Sequence, residues 1–249
     1  MPTSVRFRPW WPTRAVLALL CLLLTGAGQA ASLQVAPTSL QLTPRQNADA
    51  LWITNSGTRP VTVQVRLFAW NQSRGADDLQ PTRALLASPP MHTLAAGQQQ
   101  LIRVVRADPA APAQQQAYRV IVDELPEPGA QNQGMQFVLR YSIPVFVQPA
   151  GDAPLQHALH ARTLPGDNGR PTLEVRNSGS SYAQLADLAL GSLERPQVIH
   201  AGLLGYVLPG QTMRWPLDIP AARLAGATLS AKINGESAQT PLPSTPPAR

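Results

Sequence analysis

From residue 32 onward, apolar side chains recur at every second position in short runs, and each run stops at a cluster of proline, glycine, asparagine or serine. A period of two lines side chains along one face of a strand, whereas a helix needs a period near 3.6. No long stretch carries the helical period. A chain patterned this way buries its apolar faces by stacking sheets, so the expectation is an all-β fold of the sandwich type.

The runs mark strands near 32–43, 50–55, 61–70, 98–106, 116–125 and 134–148, with a weak one near 84–87. About seven short strands match one immunoglobulin-like sandwich. A second set follows near 155–163, 172–176, 182–190, 203–207, 211–217 and 227–233. Two echoes tie the halves together. Leu51-Trp-Ile-Thr-Asn-Ser-Gly57 parallels Leu173-Glu-Val-Arg-Asn-Ser-Gly179, a strand entering an Asn-Ser-Gly turn. Ala96-Gly-Gln98 parallels Pro209-Gly-Gln211 in the same order, each opening a strand. Two immunoglobulin-like β-sandwich domains in tandem are therefore expected, at 31–149 and 155–240. A Gly/Pro-containing linker would occupy 150–154, and a proline-rich, disordered tail 241–249.

Residues 1–30 stand apart. Arg6, Arg8 and Arg14 precede a ten-residue apolar run from Ala15 to Leu24, and small residues follow to Ala30. This is the pattern of a secretory signal peptide removed after Ala30 or Ala31; the run is too short to serve as a membrane span. Cys21, the single cysteine, would leave with it. The formal charge of +6 would fall to +3, because three arginines and no acid are lost. Without disulfides, the mature chain must be held by its core. So small a charge, with no Lys/Arg stripe interleaved with aromatics, gives no pull toward nucleic acid. No second long apolar run follows, so the mature chain is not expected to insert into a membrane.

Catalytic patterns are missing. His92, His157, His160 and His200 are the only histidines, and the closest pair lies three apart on a strand, facing opposite sides. No Gly-x-Ser-x-Gly elbow, phosphate-cradling loop or His-Glu-x-x-His occurs. Asp77-Asp78 reads as loop decoration, and Asp123-Glu124, neighbours on a strand, cannot share one substrate proton. No enzyme, cofactor or metal site is expected.

The strand near 134–148 is unusual. Met135, Phe137, Leu139, Tyr141 and Ile143 share one face, yet Pro144 interrupts the run. Proline has no N–H for the ladder and marks a sheet edge or a bulge. An apolar row on an edge invites aggregation, so it either packs in the domain's own core or is covered by a partner. Arginines also interrupt strand-like runs, at Arg66, Arg103, Arg106, Arg119 and Arg140. Outward charges that blunt edge pairing account for most. Arg119, in a run apolar on both faces and so expected inside the sandwich, and Arg140 stand out as groups for binding a carboxylate bidentately at a cleft wall.

Five segments, 51–70, 79–106, 117–126, 134–149 and 205–217, taken in order, resemble the PapD-like periplasmic chaperones of chaperone–usher pilus assembly. The resemblance implies a periplasmic protein that lends its strand at 134–149 to a pilus subunit lacking one, then delivers the subunit to an outer-membrane usher. Met135, Phe137, Leu139, Tyr141 and Ile143 would be the donor side chains. The best-known members anchor the subunit carboxylate with an arginine in the first strand and a lysine in the last. Here Ser39 and Pro144 stand at those positions, and Lys232 is the sole lysine. That departure fits the divergent archaic or alternative branch, with Arg119 as first replacement anchor, Arg140 second and Arg106 third. Two other readings remain open. An exported pilus subunit or adhesin would carry one incomplete sandwich with its own donor extension. A carbohydrate-binding immunoglobulin-like module would expose aromatics, whereas Trp52, Trp70 and Trp215 read as core.

Overall fold

The computed structural model describes residues 33–126, 138–151, 153–166, 169–224 and 226–244. The described residues of the first half form ten strands: β1 (Leu33–Ala36), β2 (Leu40–Leu42), β3 (Ala48–Asn55), β4 (Val61–Ser73), β5 (Ala76–Pro81), β6 (Leu85–Ser88), β7 (Met91–Leu94), β8 (Gln99–Arg106), β9 (Gln116–Leu125) and β10 (Arg140–Val147). One sheet has the order β1-β3-β8-β6, the other β2-β10-β9-β4-β5, with β7 also on β4. The inward alternates of both sheets, among them Leu33, Leu51, Ile53, Ile102, Val63, Val120, Val122 and Val145, make one core. Burying each such side chain contributes roughly 1.5–3 kcal/mol over leaving it in water.

The second half forms β11 (Leu159–Pro165), β12 (Pro171–Asn177), β13 (Ala183–Leu190), β14 (Gln197–Val207), β15 (Thr212–Pro216), β16 (Leu229–Ile233) and β17 (Thr240–Pro241). A sheet β11-β12-β15 faces a sheet β14-β13-β16-β17 across a separate core that includes Leu173, Val175, Leu185, Leu188 and Ile233.

The sequence echoes are structural equivalents. Asn55 and Asn177 are both fully buried. Asn55 donates its backbone N–H to Gln98 O and accepts from Gly97 N; Asn177 does the same with Gln211 O and Gly210 N. The Asn55 amide reaches Arg59 O and Leu94 O, and that of Asn177 reaches Ser181 O and Val207 O. Each side-chain oxygen takes the N–H two residues on, from Gly57 or Gly179. One buried amide thus knits a turn to a second loop in each sandwich, satisfying groups that would otherwise be orphaned.

Several expectations need correcting. The run at 32–43 is two strands in different sheets, because Pro37 interrupts the ladder and the chain crosses between layers. Asp77 and Asp78 lie in β5, paired with β4, and not in a loop. The tail does not begin at 241: Pro241 belongs to β17 and Leu242 is buried in the second core, where its apolar side chain outweighs the proline-rich surroundings. Trp52 is not core; it is 43% exposed on the outer face of β3, opposite Leu101.

A third apolar cluster joins the two sandwiches. Trp70, Phe146 and Leu208 are buried together, with Ala117, Tyr182 and Tyr206 against them. Phe146 stacks on Tyr182 at 3.7 Å, and Trp70 meets Tyr206 edge-on at 5.3 Å. The Gln72 amide donates to Tyr206 O and accepts from Leu208 N, both at 2.9 Å, in the manner of a strand neighbour. At the β4–β5 turn, Gly75 (φ +83°) accepts from Arg214 N at 3.0 Å. A Cβ there would come within 2.7 Å of the Arg214 side chain, so this approach requires glycine.

Candidate functional site

β9 separates its two faces by alternation. Tyr118, Val120 and Val122 enter the first core, so Arg119, Ile121 and Asp123 point to the outer face. Register places Pro144, Arg119 and Phe68 in one row across β10, β9 and β4, then Ser142, Ile121 and Arg66, then Arg140, Asp123 and Gln64. This outer face runs into the aromatic cluster between the sandwiches, because Trp70 and Phe146 are its continuation.

Arg119 is not inside the sandwich, as its apolar surroundings suggested, but half-buried on this face. Its guanidinium lies 3.6 Å from the Trp70 ring centroid and 5.2 Å from that of Tyr206. Nη1 donates to Ser142 O at 3.4 Å. Burial lowers its pKa while Asp77 and Tyr206 pull it back up, and an arginine in this state keeps its charge. Asp77 Oδ1 instead accepts from Trp70 Nε1 at 2.9 Å and Gln72 Nε2 at 3.0 Å, fixing the indole under the guanidinium. Among the described residues no carboxylate forms an ion pair with Arg119. A preorganised, partly desolvated cation with open donors suits a carboxylate. Sequence reasoning missed Asp77, since its role depends on the β4–β5 pairing.

The other two arginines are placed differently. Arg140 is exposed and already binds Asp123 Oδ1, while Arg66 Nη2 takes Asp123 Oδ2 at 2.6 Å. Burial alone would raise the Asp123 pKa, but hydrogen bonds and charge from Arg140 and Arg66 hold it below the usual carboxylate range. Arg106 does not reach this face. It is 7% exposed, donates through Nη2 to Ala110 O and lies beside Tyr118, on the core side of β9.

Of the apolar row, Met135 and Phe137 lie outside the described residues. Leu139 and Tyr141 are half-buried against the first core, and the Tyr141 hydroxyl donates to Leu33 O. Ile143 is a member of that core, 4% exposed, because it faces inward beside the seam with β2. The edge signalled by Pro144 is half a strand long. β2 pairs with β10 only over Val145–Val147, and among the described residues Arg140–Pro144 has β9 on one side and no strand on the other.

Among the described residues, no group of three His, Cys, Asp or Glu is placed to hold a metal ion, and no helix is long and apolar enough to cross a membrane.

Residues 32–152 match a family model described as pili and flagellar-assembly chaperone, PapD N-terminal domain. A search of curated proteins finds no match. Among solved structures, the chain is similar to the CsuC–CsuE chaperone–tip adhesion subunit pre-assembly complex from archaic chaperone-usher Csu pili of Acinetobacter baumannii, at 24% identity and a TM-score of 0.70, covering 87% of this chain and 100% of that one. It is also similar to the Salmonella enterica SafA pilin–SafB chaperone complex, at 20% identity and 0.56, covering 87% and 97%. The Pseudomonas aeruginosa CupB2 chaperone follows at 15% and 0.55, covering 84% and 97%. At these identities the likeness is one of fold, in tandem immunoglobulin-like sandwiches.

Proposed function

Through its first sandwich the chain belongs to the PapD-type pilus-assembly chaperones, and from that premise we propose that it holds pilus subunits in the periplasm by lending them the open edge of β10. The observation that carries this reading is the edge at Arg140–Pro144, unpaired among the described residues, which adjoins the half-buried Leu139 and Tyr141 and ends at Pro144 in the row of Arg119. A subunit strand laid along this edge gains main-chain hydrogen bonds, and alternate apolar side chains fill the groove left by its missing strand. Met135, Phe137, Leu139 and Tyr141 supply that row, while Ile143 supports it from the chaperone's own core. Each side chain newly buried contributes roughly 1.5–3 kcal/mol before ordering costs.

Arg119 anchors the subunit's C-terminal carboxylate and so sets the register of the added strand. Arg140 and Arg66, with their shared Asp123, form a charged rim. The loaded chaperone then passes its subunit to an outer-membrane usher, where a neighbouring subunit's strand replaces β10 without nucleotide hydrolysis.

Periplasmic co-expression with a candidate subunit, followed by pull-down and size-exclusion chromatography, tests the reading. A one-to-one complex is expected, with the subunit aggregating or degraded when expressed alone. A subunit that persists alone and never co-elutes would overturn it.

A further inference from the structure

The outer face of β11-β12-β15 carries a second set of charges, distinct from the Arg119 face. Arg162, Glu174 and Arg214 stand in register across the three strands. Glu174 accepts from Arg162 Nε at 2.6 Å and from Arg214 Nε at 2.7 Å. The next row is His160, Arg176 and Thr212. The β4–β5 turn of the first sandwich, with Arg74 at its tip, closes one side and leaves a groove lined from both sandwiches. Four arginines line it against one carboxylate. Arg162 and Arg214 share that carboxylate, and among the described residues neither Arg74 nor Arg176 makes an ion pair.

We propose that this groove docks an acidic, extended polypeptide segment of a partner protein. Its cations are spread over the two rows and, at Arg74, the facing turn rather than converging on one point, which favours charges distributed along a chain over a single phosphate. Adjacent rows lie two residues apart along a strand, about 6.8 Å, and an extended segment presents alternate side chains at the same repeat. Carboxylates at positions i and i+2 therefore match the two rows, and each guanidinium offers a planar fork to receive one. The three unbalanced charges also draw an acidic segment in from a distance, in a salt-dependent way. The inference does not rest on strand donation, since β10 and Arg119 take no part in it.

The test uses the full mature chain and a fluorescein-labelled peptide of alternating Glu and Ser, followed by fluorescence anisotropy at low salt. Saturable binding that weakens as salt rises is expected. Arg74→Gln and Arg176→Gln should each weaken it about tenfold, as expected for loss of one charge-assisted contact. Arg195→Gln, an exposed arginine outside the groove, should leave it unchanged. Absence of saturable binding would overturn the proposal, as would equal losses for all three variants, which would mean diffuse charge attraction. Inorganic phosphate or phosphatidylglycerol vesicles binding with the same arginine dependence, while the peptide does not, would reassign the groove to phosphate and refute the polypeptide partner.

Discussion

Arg119→Gln isolates the proposed carboxylate anchor. The substitution keeps a polar side chain, shorter by the end of the guanidinium, and removes the charge and the planar fork. The stack of the guanidinium on Trp70 at 3.6 Å exists before any subunit binds, so its energy cancels between free and bound states. What changes on binding is the charge-assisted pair with the carboxylate, about 1.5–3 kcal/mol. At 1.4 kcal/mol per tenfold, that is a rise in Kd of roughly 10- to 100-fold. The assay compares two synthetic peptides of a subunit's final strand, one ending in a free carboxylate and one in an amide. The wild-type protein should prefer the carboxylate by that factor, and Arg119→Gln should erase the preference while leaving amide affinity nearly unchanged. Arg119→Lys should recover only part of it, because lysine keeps the charge without the fork. Losing the stack costs the variant about 0.5–2 kcal/mol of stability, which leaves it folded for the assay. Equal weakening of both peptides, or an undiminished preference in Arg119→Gln, would refute an anchor at this position.

Leu139→Asp should abolish subunit recovery in pull-down with circular dichroism unchanged, since the side chain is only half-buried at an open edge; undiminished recovery would remove Leu139 from the donor row. Asn55→Ala and Asn177→Ala should each destabilise by about 2–3 kcal/mol, because buried carbonyls lose their donor. Urea denaturation followed by tryptophan fluorescence checks this, with Asn55→Ala acting on the sandwich of Trp52 and Trp70 and Asn177→Ala on that of Trp215; costs below about 0.5 kcal/mol would contradict the role. Acid should destabilise both sandwiches. For Glu174, as for Asp123, burial works against the charged form, but its two arginines outweigh it and lower the pKa. Stability from a lowered carboxylate is fully present above the unfolded-state value near pH 4 and is lost as pH falls through the folded one. Asp123→Asn and Glu174→Gln should therefore flatten the decline below about pH 4 and leave the profile between pH 6 and 8 unchanged.

Turn chemistry made much of the fold legible. The Asn-Ser-Gly echoes mark equivalent buried amides because only a short polar side chain can bridge a tight turn to a neighbouring loop. β9 follows the expected limits because Val120, Ile121 and Val122 leave no other state for that run. β5 was illegible: its sequence, ADDLQP, has no apolar face, and its place comes from pairing with β4. Alternation also cannot say which neighbour covers an outward residue. Trp52 and Trp70 both sit on outer faces, yet one meets solvent and the other the second sandwich. The same limit applies to the apolar row, where period two groups Ile143 with Leu139 and Tyr141 although only Ile143 is drawn fully into the core. Arg119 stood out in sequence as a charge in an apolar run, but its indole platform and the Asp77 behind it arise from strand pairing across tens of residues.

The open edge of β10 is the centre of the account, and amide hydrogen exchange of residues 138–143 tests it directly, with and without a bound subunit. Strand donation predicts that the outward amides of this segment exchange fast in the free chain and become strongly protected in the complex, while amides of β3 and β8 on the opposite sheet do not change. A stable complex in which 138–143 exchanges as fast as before, with new protection elsewhere, would show that the subunit is held by some other surface.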